Sequence, residues 1–281
     1  MKLYICLFIL FSSFSSSIQA QIEASTIGAS AWGMGNTAVT LADVWAVGNN
    51  PAGMAGLKKQ SVGMSYHTTP LLIGNFNTFV LAYTQALPAG VLGMQVARFG
   101  DKIYSETKLG IGYAYSMQKV NIAMKVNYVQ IAQATLGSQG KLTFEFGAQL
   151  PLNKYMRFGV HIYNFTQSAF KDYIGVARAI PTTLKAGLAY QPIDALSMYV
   201  EAEKTLDYAL SPRLGIAYKI HKKVMLRTGI QGNGTAQAQT QTIAQFAGIG
   251  FIFNKFQFDY ALASQTNVGI GHHLALTYRV Q

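Results

Sequence analysis

The chain has 281 residues, 50% hydrophobic and only 12% charged, with a formal net charge of +11, 27 glycines, 16 tyrosines and 16 phenylalanines. An ordinary soluble surface needs roughly a quarter of residues charged, and a disordered chain combines dense charge with low hydrophobicity, so both classes are excluded. Beyond the N-terminus there is no run of about 20 apolar residues, which excludes a bundle of membrane helices and leaves a membrane β-barrel, where every second residue is apolar.

The chain opens with Lys2, an apolar stretch from Leu3 to Phe11, and a Ser-rich stretch ending Ser17-Ile18-Gln19-Ala20. This is the layout of a secretory signal peptide over residues 1–20, with cleavage expected after Ala20; an uncleaved anchor is the alternative. The lone cysteine, Cys6, lies inside it. The mature chain is therefore expected to hold no disulfide and no thiolate site. The basic excess is assigned to lumen and turns, with no nucleic-acid partner, because neither a basic helix nor an aromatic RNA-binding motif occurs.

Residues 22–57 do not alternate. They are rich in Gly and Ala and nearly uncharged, which suits a hatch over 21–58 lying inside the lumen of a barrel formed by 59–281. Trp32 and Trp45 read as packing anchors of that hatch, and Asn49-Asn50-Pro51 as a turn directing it toward the first strand.

From Gln60 onward, short segments of period two follow. Strands are expected at 60–68, 76–85, 91–98, 104–116, 119–131, 141–150, 155–164, 183–190, 196–205, 211–219, 224–231, 243–253, 256–263 and 271–280. The fold class is all-β: a transmembrane antiparallel barrel of about 14 strands, an even number as single-chain bacterial barrels have. Tight links such as 87–90, 118–119 and 254–255 alternate with mostly longer ones at 69–75, 132–140, 165–182, 232–242 and 264–270. That asymmetry predicts tight turns at the periplasmic end and 165–182 as the largest outer loop. The last strand alternates Leu274, Leu276, Tyr278 and Val280 with Ala275, Thr277 and Arg279. Inward positions are crowded with glycine, among them Gly63, Gly93, Gly147, Gly159, Gly215 and Gly248, which implies something packed against the wall.

The pattern Gly33-Met34-Gly35-Asn36, Leu41-Ala42-Asp43 and Asn50-Pro51-Ala52-Gly53-Met54 resembles the N-terminal hatch signature of the FadL-like outer-membrane proteins, most closely their PorV/PorQ-type branch from Bacteroidetes. The resemblance implies a fourteen-stranded barrel with a hatch, embedded in outer-membrane lipid. It also implies one of two roles, which are uptake or binding of a small hydrophobic ligand, or service as an accessory of the type IX secretion system. Chains of the first kind carry long outer loops with an apolar capture groove; here only 165–182 could contribute, through Phe165, Phe170, Tyr173 and Ile174.

Inward charges are expected at Lys108, Lys125, Glu145, Arg157, Lys185, Glu201, Glu203, Arg213, Lys219, Arg227, Asp259 and Arg279. Strand adjacency places Lys125 near Glu145, and Glu201 and Glu203 between Lys185 and Arg213. Such charges must pair or reach water, so they read as a bracing network or, through their basic excess, as a seat for a ligand's carboxylate. The five histidines show no metal spacing, and His272 and His273 must point to opposite faces of a strand. Pairing of His161 with an inward Ser65 lacks any nucleophile motif, so neither catalytic residues nor cofactors are expected. Outward tyrosines, among them Tyr83, Tyr113, Tyr190, Tyr218 and Tyr278, read as aromatic girdles.

Overall fold

A computed structural model of the protein describes residues 26–71, 74–135, 137–171, 177–206, 208–233, 242–265 and 269–280. The signal-peptide reading with Cys6, and the loop residues Tyr173 and Ile174, fall outside these described residues.

The strands are β1 (Ser61–Leu71), β2 (Gly74–Leu87), β3 (Gly90–Gly100), β4 (Tyr104–Met117), β5 (Val120–Gln133), β6 (Gly137–Pro151), β7 (Met156–Tyr163), β8 (Ala169–Lys171), β9 (Ala177–Ala179), β10 (Thr183–Ile193), β11 (Leu196–Thr205), β12 (Ser211–His221), β13 (Val224–Asn233), β14 (Thr242–Phe253), β15 (Phe256–Gln265) and β16 (Gly269–Arg279). All but β8 and β9 join one closed antiparallel barrel of 14 strands, each beside its neighbour in sequence. The barrel closes by pairing β1 with β16, Ser61 opposite Arg279 and Thr68 opposite His272.

Period two decides which side chains meet lipid. On β5, Met124 is 56% exposed on the outside while its neighbour Lys125 is buried inside. The same inversion runs around the wall, with Leu109, Ile111, Leu214, Ile216, Phe258 and Leu274 all outward and exposed. A closed wall satisfies every backbone group internally, and an apolar exterior then requires lipid as its solvent. Tyr83, Tyr113, Tyr190, Tyr218 and Tyr278 lie toward the tight-turn ends of their strands. Two of those turns hold a non-glycine residue in the left-handed region, Gln118 at φ 54 and Asn254 at φ 51.

The expected long links are mostly shorter than the sequence implies. β1 and β2 run on until Leu71 faces Gly74, and β5 and β6 until Gln133 faces Gly137. Backbone pairing continues beyond the lipid belt, where alternation is no longer required, so hydrophobic period alone ends these strands too early.

Within the expected outer loop 165–182, β8 and β9 pair as a two-stranded antiparallel sheet, Ala169 opposite Ala179. Asn164, itself at φ 52, pins this sheet by donating to Ile180 O at 2.7 Å and accepting from Ser168 N at 3.0 Å. Phe170 is only 5% exposed and packs with Val129, Tyr163 and Ile180. The expectation that Phe170 shares an exposed apolar patch with Phe165 is therefore corrected. Phe165 is exposed and touches Phe144, while Phe170 turns inward onto Val129, Tyr163 and Ile180.

Residues 26–57 pack against inward-facing positions of the wall. They form α1 (Ala29–Trp32), α2 (Ala46–Asn49) and a 3-10 helix (Pro51–Met54), which Pro51 opens and the Asn50 side chain caps by accepting from Ala52 N at 3.2 Å. Trp32, Val44, Trp45, Val47 and Met54 form an apolar core with the inward wall residues Val80, Val91, Phe99 and Phe246.

Candidate functional site

The inward glycines of the wall are seats for this internal segment. A Cβ at Gly63 would meet the Trp45 ring at 2.8 Å, and one at Gly187 would meet Val39 Cγ1 at 2.8 Å. At Gly93 it would overlap Met54, at Gly147 Asn50, at Gly215 Met34, and at Gly229 the backbone of Met34 and Gly35. Gly33 approaches Gly248 closely enough that a Cβ would lie 3.1 Å from its Cα. Gly35 is fixed twice over, by φ 68 and by Ile230 O 2.7 Å from where a Cβ would sit. Three other inward glycines have a second purpose. Gly110 and Gly112 leave room for the Lys125 side chain, and Gly250 for the Arg227 guanidinium.

Polar side chains then tie the segment to the wall. Asn50, fully buried, donates through Nδ2 to Val39 O at 2.7 Å within the segment and to Val160 O on β7 at 3.2 Å. Glu201 Oε2 accepts from the backbone N–H groups of Ala38 and Val39 at 2.7 and 2.8 Å. Asn36 donates to Gln231 at 2.7 Å, and its carbonyl accepts from Arg213 Nη1 at 3.1 Å. Arg157 donates to Thr40 O at 3.2 Å. Pro51, Ala52 and Gly53 are buried in the 3-10 helix, where a Cβ on Gly53 would overlap Leu41 O.

The wall charges fall into three groups. Around Glu145 the structure gathers Lys125 at 3.1 Å, Lys108 at 3.4 Å, His161 at 3.0 Å and the Asn127 amide at 2.8 Å. Lys108 also lies over the Tyr163 ring, 4.3 Å from its centroid. Next along the wall, where Lys185 on β10 is the register partner of His161, Lys185 and Arg213 bracket Glu203 at 3.1 and 2.6 Å, and Arg213 reaches Glu201 at 3.4 Å. The third group pairs Arg227 with Asp259 at 2.7 Å, and Gln257 links Asp259 to Arg279 at 2.8 and 2.6 Å. Lys185 and Arg213 thus meet two carboxylates. The inward Glu106 was not anticipated; Tyr104 donates to it at 2.5 Å, and its parity with Lys108 on β4 is the signal that finds it.

Sequence reasoning read Asn49 only as a turn residue and missed Gln149. Asn49 exchanges two hydrogen bonds of 2.9 Å with the backbone of Ile27, and Gln149 donates to Val39 O and Leu41 O at 2.9 and 3.0 Å. Gln149 shares strand parity with Glu145 and Gly147, which is enough to place it inward; Asn49 lies in the non-alternating region, which has no such guide. His161 and Ser65 are not brought together. His161 bonds Glu145, while Ser65 Oγ has no hydrogen-bond partner among the described residues. His272 and His273 do face opposite ways. His272 accepts from or donates to Tyr260 on the outside, and His273 is buried against His67 and Trp32, at ring centroid distances of 4.9 and 5.1 Å.

Asp43 lies on a cavity of about 410 Å³ at the tight-turn end, between the segment and the wall. Its Oδ1 accepts from Trp45 N at 2.9 Å. Burial, with Asp259 adding repulsion, raises its pKa from 3.8 to about 6 against the pull of backbone hydrogen bonds and Arg279. The cavity lining combines the apolar Met34, Val44, Trp45 and Met225 with the basic Lys58, Lys59, Arg227 and Arg279.

No family model matches the chain, and no curated protein sequence matches it. Solved structures do. The CymD monoaromatic hydrocarbon channel superposes with a TM-score of 0.71 at 13% identity, covering 92% of this chain and 98% of that one. The Ralstonia pickettii toluene transporter TbuX gives 0.70 at 12% identity over 92% and 99%. A Pseudomonas aeruginosa FadL homologue gives 0.63 at 12% identity over 92% and 99%. The fold is that of the FadL-like barrels. At such identities the likeness is one of fold.

Proposed function

We propose that the protein is an outer-membrane barrel for passive uptake or binding of a small hydrophobic or amphipathic compound, formed by residues 59–281 after loss of residues 1–20, with 21–58 as its hatch. The observation that carries this reading is a lipid-facing wall whose lumen is filled by a segment tied down with side-chain contacts and glycine seats, not by strand pairing. A plug held in that way can loosen while the barrel stays whole. The fold shared with channels described as carrying monoaromatic hydrocarbons or toluene supports the ligand class. The groups around Glu145 and Glu203 then act as braces, since their cations already have carboxylate partners.

Two measurements test it. Native mass spectrometry with lipid extraction on the detergent-purified protein should show a defined hydrophobic molecule near one-to-one stoichiometry, and deletion of residues 22–57 should raise the permeability of proteoliposomes. An empty barrel whose permeability is unchanged by the deletion would remove both the ligand and the hatch.

A second reading stands beside this one. Phe170, folded inward, is withdrawn from the apolar capture groove expected of an uptake channel. The alternative, a PorV/PorQ-type accessory of type IX secretion, rests on the resemblance of the hatch motif Gly33-Met34-Gly35-Asn36 and Asn50-Pro51-Ala52-Gly53, and an accessory of that kind would also be expected to carry more elaborate outer loops. Co-purification of type IX components with the barrel, together with absence of any small ligand, would select it.

A further inference from the structure

The lumen's basic groups are not compensated evenly along its length. Lys125, Lys185, Arg213 and Arg227 all make ion pairs with carboxylates. At the tight-turn end the pattern changes. Arg279 donates to the neutral Gln257 and makes no ion pair among the described residues, and Lys58 and Lys59 are exposed beside it. These three cations line the cavity of about 410 Å³ together with the apolar Met34, Val44 and Met225. A concave site of a few hundred Å³ with an apolar lining and a few convergent charges is the usual form of a small-molecule site.

We propose that this vestibule, on the periplasmic side of the internal segment, binds amphipathic compounds carrying a single anionic head, the head toward Arg279 and Lys59 and the apolar body against Met34, Val44 and Met225. The inference rests on the uptake reading only in supposing that a solute reaches this face of the segment. It also moves the seat of an acidic headgroup away from Lys185 and Arg213, which already face Glu203 and Glu201. Arg279, which has no ion pair among the described residues, and the exposed Lys58 and Lys59 make the cavity positive once Asp43 is protonated.

Asp43 opposes the ligand from within. It faces Arg279, Arg227 and the paired Asp259, with Tyr199, Lys58 and Lys59 on the same cavity. While ionised it repels a second anion; when it takes a proton the cations are left to the ligand alone. Anion affinity should therefore rise as pH falls through the range where Asp43 titrates.

The experiment is isothermal titration of the full protein in lipid nanodiscs, with empty nanodiscs subtracted, using octanesulfonate, whose charge is constant between pH 5 and 8, and 1-octanol as its uncharged counterpart. The sulfonate should bind more tightly than the alcohol, and more tightly by at least threefold at pH 5 than at pH 7.5. Arg279→Gln with Lys59→Gln should lower the ratio of sulfonate to alcohol affinity at least tenfold, while Arg279→Lys keeps it within about threefold. In the unaltered protein, raising salt from 50 to 500 mM should weaken the sulfonate and spare the alcohol, a readout that needs no variant to fold. Equal affinity for the two probes, or a ratio unmoved by the double substitution, overturns the vestibule. Toluene entry into proteoliposomes of the unaltered protein is measured in parallel. Entry without selectivity for the anion defeats the vestibule alone, and absence of entry defeats the uptake reading.

Discussion

Replacing Glu145 with Gln keeps the shape of the side chain and removes one charge, and the structure fixes what that charge holds. The carboxylate is fully buried, with Lys125 at 3.1 Å, Lys108 at 3.4 Å, the Asn127 amide at 2.8 Å and His161 at 3.0 Å. In Glu145→Gln, two ammonium groups lose their shared anion. Lys125 retains the neutral Gln95 at 2.8 Å, a weaker partner for a buried cation. Removing one member of a buried ion pair costs about 3–5 kcal/mol, because the remaining charge has left water without compensation. That is a large part of the stability of an ordinary domain. Urea titration in lipid vesicles, read by the heat-modifiable mobility of the folded barrel, should show the loss directly. Adding Lys125→Met should recover part of it, since the second change withdraws one stranded cation. A loss below about 1 kcal/mol for Glu145→Gln would mean that these charges are hydrated, and would refute the reasoning for all three wall groups.

Asp43 gives a pH-dependent prediction. Its pKa is raised on docking from 3.8 to about 6, so the docked state binds more protons than the undocked one and docking weakens as pH rises through that interval, by at most about 3 kcal/mol. Asp43→Asn should flatten the change, and hydrogen exchange over residues 38–54 that is equally protected at pH 5 and 7.5 in the unaltered protein would contradict it. Gly147→Ala places a methyl group on Asn50 and should speed exchange over the same residues with the barrel itself intact; unaltered exchange would count against the seat. Phe170→Ala empties the pocket formed with Val129, Tyr163 and Ile180, a loss of about 3 kcal/mol local to the β8–β9 sheet, and proteolysis within 165–182 should accelerate. Gln118→Gly relieves a left-handed residue in a tight turn and should stabilise the barrel by up to about 1 kcal/mol in the same urea assay.

How much was legible in the sequence varies with how local the cause is. Met124 and Lys125 show their facings because lipid and lumen impose opposite solvents on neighbouring residues of one strand. Leu71 and Gly137 hide their membership of strands, since pairing above the lipid belt makes no demand on side-chain type. The inward glycines announce a filled lumen, but which segment residue each accommodates depends on the path of residues 26–57. Lys125 beside Glu145 follows from adjacency of consecutive strands. Glu201 is harder, because its Oε2 accepts from Ala38 and Val39, backbone groups that no side-chain pattern exposes. Phe170 is misplaced from sequence because an aromatic in a loop reads alike whether it faces water or packs inward.

The contact of Trp32 with His67 and His273 bears on assembly. His67 belongs to the first strand of the barrel and His273 to the last, and the two are register partners across the closing seam. Trp32 rests against both rings, and a Cβ at Gly271 would come within 2.9 Å of it. Its berth does not exist until β16 has reached β1. During biogenesis the final strand therefore acts as a latch, and an unclosed sheet would hold the segment by one side only. Trp32 is thus seated only on a closed wall, while the seam itself is strand pairing between β1 and β16, so the segment can loosen afterwards without reopening it.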